Sequence, residues 1–89
     1  MKVGEILPRL AALPGYKLYI EVVRPSEEIS PEGEQITTVE RFDATGFTEE
    51  EIRVLVESLK IVYPDALKIQ THFCGHKVRK RCYIEPLEG

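Results

Sequence analysis

The stretch GFTEEEIRVLVESLKIVYPD, residues 46–65, decides the fold. Thr48 followed three positions later by Glu51 spells a capping box, in which each side chain satisfies the other residue's free backbone N–H. Phe47 before the cap and Ile52 inside it form the matching hydrophobic staple. Glu49, Glu50 and Glu51 set negative charge against the positive end of the helix dipole. Pro64 disfavours helical geometry in the residue before it, so the helix is predicted over 49–62. Ile52, Leu55, Val56, Leu59 and Tyr63 recur at helical spacing and should cover a sheet. Val54 and Ile61, seven residues apart, lie on the opposite line of the same helix and are candidates for contact with a covering element or a second chain.

Working outward from this helix, both flanks read as hairpins. YKLYIEVVR (16–24) is rich in branched and aromatic residues and predicts a strand. Its Tyr16, Leu18, Ile20 and Val22 should face the core, with Lys17, Tyr19, Glu21 and Val23 on the other face. PSEEISPEGE (25–34) predicts a long loop, and QITTVERFD (35–43) a second strand. After the helix, residues 66–74 alternate Leu67, Ile69, Thr71 and Phe73 against Lys68, Gln70, His72 and Cys74. Residues 80–85, KRCYIE, form the fourth strand. Before all of this, Val3, Ile6, Leu7, Leu10 and Leu13 suggest a short helix over 5–13, with Pro8 tolerated only in its first turn.

The prediction is one α+β domain: a short N-terminal helix, then β-β-α-β-β. The four strands form an antiparallel sheet with the main helix on one face. At 89 residues the chain makes one domain and buries only about 60–65% of its unfolded surface. A metal, a disulfide or association would therefore add usefully to its stability.

Composition narrows the function classes. The net charge is −3, which disfavours a dedicated DNA binder. The charge is uneven: residues 26–57 hold ten acids against two bases, while residues 66–85 hold five bases against one acid. No apolar run approaches the ~20 residues that span a bilayer. Glu5, Pro8 and Arg9 break up any signal-peptide core. The expectation is a cytoplasmic protein with no membrane partner, whose two cysteines are reduced thiols. A disulfide becomes plausible with a thermophilic source, toward which the high Glu, Lys and Arg content and the single methionine lean.

THFCGHKVRKRCY, residues 71–83, holds both histidines and both cysteines, and its chemistry depends on register. With a four-residue loop, Phe73 faces Cys82 across the hairpin, His72 faces Tyr83, and Cys82 and Ile84 enter the core. Hydrophobicity favours this register. With a three-residue loop, Cys74 faces Cys82, and the pair can form a disulfide or share a zinc ion with His72 and His76. Against zinc, the spacing matches no strong signature. Three ligands at alternate positions of one flat strand also spread over about 13 Å. Two ordinary thiols are the leading expectation, with no cofactor.

Lys77, Arg79, Lys80 and Arg81 at the hairpin tip are candidates for contacting RNA or another polyanion, with Tyr83 and His72 near enough to stack on bases. Catalysis is disfavoured, because a Cys beside a His on one strand has no third group to orient it. The leading expectation is a binding module that pairs with itself or another protein. The surfaces concerned are the sheet face carrying Tyr19, or the outer helix line of Val54 and Ile61.

Overall fold

The computed structural model describes Gly4, residues 15–75 and residues 81–87. The helix expected over 5–13 lies outside the described residues. Four strands and one helix follow in the order β1 (Lys17–Ile29), β2 (Gln35–Asp43), α1 (Glu49–Val62), β3 (Lys68–Gly75) and β4 (Arg81–Pro86). The strands make one antiparallel sheet in the order β2-β1-β3-β4. The first strand of each hairpin thus lies in the middle. α1 carries the chain from the edge strand β2 to the central strand β3.

α1 begins and ends where its sequence signals place it. Thr48 is the N-cap, in extended geometry (φ −75°, ψ 167°). Its hydroxyl accepts the Glu51 N–H at 3.2 Å, and the Glu51 carboxylate accepts the Thr48 N–H at 3.2 Å. At the other end the Tyr63 N–H still reaches the Leu59 carbonyl at 2.9 Å, and Pro64 follows. Thr48→Ala should destabilise the protein by about 1 kcal/mol, because an N-terminal donor loses its partner. A thermal melt should show this as a fall of roughly 4–8 °C. An unchanged midpoint would mean that the cap adds nothing beyond α1's packing.

The core lies between α1 and one sheet face. Ile52, Val56 and Leu59 of α1 meet Leu18, Ile20 and Val22 of β1 and Ile69 and Phe73 of β3. The period of two separates Leu18, Ile20 and Val22, which enter the core, from Tyr19, Glu21 and Val23 on the other face. Thr71 is fully buried on the core face, and its hydroxyl donates to the Glu85 carbonyl at 3.3 Å.

Three local expectations are corrected. The region 25–34 is not one long loop: β1 continues through Pro25 to Ile29, and the turn is confined to residues 30–34. β3 pairs with β1 only as far as Val23, so among the described residues β1 has β2 alone as its strand neighbour from Arg24 onward. A proline without an N–H is tolerated in such a one-sided segment. An irregularity between Pro25 and Ile29 absorbs the mismatch in register. Gly33, at φ +84°, supplies the left-handed residue that closes the turn.

Second, Leu67, expected on the core face, is 60% exposed because β3 starts two residues later than predicted, at Lys68.

Third, the last hairpin takes the other register. Phe73 pairs with Tyr83 and Cys74 with Cys82. Cys82 and Ile84, expected inside, point away from the core, and Ile84 is 55% exposed. Part of the reason lies two residues beyond the predicted strand, at Leu87. This register brings Tyr83 onto Phe73, with ring centroids 5.2 Å apart, and buries Leu87 at the end of the core. An aromatic stack together with a buried leucine outweighs the burial of Cys82 and Ile84.

Candidate functional site

The sheet face away from α1 carries the chemistry. Alternation puts Lys17, Tyr19, Glu21 and Val23 of β1 on it, with Lys68, Gln70, His72 and Cys74 of β3. Antiparallel register then aligns cross-strand rows. Arg41, Glu21 and Gln70 form one row, Asp43, Tyr19, His72 and Ile84 the next, and Lys17, Cys74 and Cys82 the third. His72 and Cys74 project from this face, as the strand period predicts.

Glu21 is the hub. It is 2% exposed, although it lies on the outer face. Its carboxylate accepts from Gln70 Nε2 at 2.8 Å and from Arg41 Nε at 2.8 Å, and a terminal guanidinium nitrogen of Arg41 lies 2.8 Å away as an ion-pair partner. His72 Nδ1 stands 3.1 Å from the same carboxylate. Burial pushes the Glu21 carboxyl up. The hydrogen bonds from Gln70, His72 and Arg41 together outweigh burial and hold it below the ordinary carboxylate range. Glu21 is therefore ionised at neutral pH.

An ionised carboxylate is acceptor-only. His72 Nδ1 must then carry a proton and donate to it. Arg41 also comes within 3.4 Å of Nδ1. Both groups are donors there, so that approach is a contact and not a second hydrogen bond. Tyr19 packs around the cluster. Its ring meets His72 edge-on at 6.2 Å, and the Arg41 guanidinium lies 5.1 Å from its centroid. Tyr19 thus stands on the outer sheet face, as its place in the strand period predicts, with its ring against His72 and Arg41.

Beside His72, Cys74 and Cys82 are joined in a disulfide, with Cα atoms 4.1 Å apart. This overturns the leading expectation of two ordinary thiols. The three-residue-loop register sets the cysteines directly opposite each other, close enough for a bond. A ring nitrogen of His72 and the two sulfurs all lie within 4.8 Å of one another. The objection that three ligands on one strand spread too far does not apply to this set. Two of the groups are on β3, and the third comes across from β4.

The other sequence candidates do not join the cluster. His76, Lys77, Arg79 and Lys80 lie outside the described residues. Arg81 is described only in its backbone, which pairs with Gly75. Val54 and Ile61 are 57% and 80% exposed on α1, on the far side of the core from this face. Sequence reading missed Glu21 and Arg41 as site residues. One signal was present: Glu21 is the single acid inside the apolar run YIEVV. Its partners Arg41, Gln70 and His72 come from two other strands and are identifiable only from register.

The chain matches no known protein family, no curated protein and no solved structure. Among the described residues, no helix is long and apolar enough to cross a membrane. The chemistry of the cluster therefore carries the functional reading. Two sulfurs and an imidazole are the donor set of a soft or borderline divalent cation. The same two sulfurs form a two-electron redox couple.

Proposed function

We propose that this protein is a small binding module that takes up a zinc-like divalent cation on Cys74, Cys82 and His72 when its disulfide is reduced. The observation behind the reading is the convergence of one ring nitrogen and two sulfurs within 4.8 Å on one sheet face. A tetrahedral zinc site with its usual bond lengths holds such atoms about 3.5–3.8 Å apart. Reduction frees the two sulfurs to separate toward that spacing.

The redox step balances with a thiol as reductant. Two thiol equivalents deliver two electrons and two protons to the Cys74–Cys82 bond and leave as their own disulfide. The cation then displaces the proton from each cysteine and binds both thiolates. Three protein ligands leave a fourth position for water or for a group on a partner.

Zinc sulfate added to the protein after reduction by a phosphine, without air, should give a native mass one zinc heavier. The oxidised protein should remain at its own mass. Cys74→Ser and Cys82→Ser should each abolish the adduct at micromolar zinc. A reduced wild-type protein that stays zinc-free, or a serine variant that keeps the ion, would overturn the reading. The same spectra report any self-association as a doubled mass.

A further inference from the structure

The cluster contains one group that the metal reading leaves unused, the buried Glu21 carboxylate. We infer that Glu21 is the positioning residue of the site: by accepting a hydrogen bond from the Nδ1–H of His72 it leaves Nε2, with its lone pair, as the histidine ligand. This rests on the metal-binding reading and adds to it the residue that prepares the histidine.

A neutral imidazole holds its proton on either nitrogen, and only the other nitrogen can bind a cation. An ionised carboxylate 3.1 Å from Nδ1 selects the Nδ1–H tautomer. It also fixes the ring plane, because the bond needs the N–H to point at the oxygen. Metal-bound histidines are commonly held in this way by a carboxylate on the nitrogen away from the ion.

Glu21 is itself held. Gln70 donates to one carboxylate oxygen and Arg41 to the other, the oxygen that also faces His72 Nδ1. The hold thus comes from β2 and β3 on either side of β1. At 2% exposure, the carboxylate has little water to exchange these bonds with. The arrangement resists rotation of Glu21 and, through it, of His72. A carboxylate present only for sheet stability would gain as much from Arg41 alone. The bond to His72 Nδ1 is what points to the neighbouring cysteines.

The test compares Glu21→Gln with wild type in the reduced protein, with zinc as the probe and a chromophoric chelator as competitor. A glutamine keeps the shape but offers an N–H₂ that can donate to Nδ1, which favours the wrong tautomer. Zinc affinity should fall about 10–100-fold. Glu21→Asp, which restores a carboxylate, should recover part of that loss. A second readout needs no variant: long-range ¹⁵N–¹H spectra of the reduced, zinc-free wild type should show His72 protonated at Nδ1. Wild-type binding that Glu21→Gln preserves within twofold, or a wild-type His72 protonated at Nε2, overturns the inference and leaves the metal site standing. A wild-type chain that binds no zinc sinks the metal reading and this inference together.

Discussion

Phe73→Ala should lower the unfolding free energy by about 3–5 kcal/mol. Phe73 is 1% exposed and lies on the central strand β3, directly between Leu18 of β1 and Tyr83 of β4. Its ring is stacked on Tyr83 and packed into the cluster formed with α1. Truncation removes the apolar contact, the aromatic pair and the filling of the space beneath α1 at once. Backbone pairing on both sides of β3 limits how far the sheet can collapse into the gap. The effect also tests the register. Had Cys82 stood opposite Phe73, Tyr83 would face the other way, and Tyr83→Ala would cost little. In the observed register Tyr83→Ala should cost a substantial fraction of the Phe73→Ala effect. Urea titration of both variants is the measurement. A Phe73→Ala loss under about 1 kcal/mol would contradict the burial seen at that position.

Reduction of the Cys74–Cys82 bond should destabilise the protein by about 2–3 kcal/mol, mainly by releasing the unfolded chain from a small closed loop. The loop is short, with a sequence separation of eight, so the effect falls toward the lower part of the usual range. For a domain of this size the melting point should fall by roughly 10–20 °C. Zinc should then reverse most of the loss. A ligand at a hundredfold excess over its dissociation constant stabilises the form that binds it by about 2.7 kcal/mol. The four combinations of oxidised or reduced protein with or without zinc separate the two roles of the cysteines. If the bond is only a structural link, the reduced protein melts low with or without zinc. If the cysteines also hold a cation, zinc restores the melting point of the reduced protein and leaves the oxidised protein unchanged. A reduced form that melts within about 3 °C of the oxidised one would sink the stabilising account of the disulfide.

The elements most legible in the sequence were those specified by local chemistry. α1 runs over 49–62 as its capping box and Pro64 dictate, because both signals act within a turn of the helix ends. β2 spans the predicted 35–43, although its alternation is imperfect. The core stripes of β1 and α1 follow from period two and period 3.6 alone. Boundaries were less legible where a tertiary neighbour sets them. β1 runs five residues past its predicted end, to Ile29, because one-sided pairing with β2 accommodates Pro25. β4 depends on Leu87, which lies past the last predicted strand residue and looks like tail in the sequence.

The candidate site shows the same division. Three of the residues that could act were readable from composition and spacing, Cys74, Cys82 and His72, whereas Glu21 was passed over as one more strand residue. That His72 and Cys74 would leave the core followed from strand alternation.

By itself, then, the sequence determined the element types, the antiparallel four-stranded plan, and the face on which the side chains of residues 17–23 and 68–74 stand. These are consequences of local periodicity and capping, which act over a few residues. Only the tertiary structure decided that Cys82 meets Cys74, and that Glu21, Arg41 and Gln70 gather around His72. One residue of slip in a hairpin inverts every side chain on a strand, and the choice between slips is made by packing across the sheet. Here that packing is Tyr83 on Phe73 and Leu87 against the core.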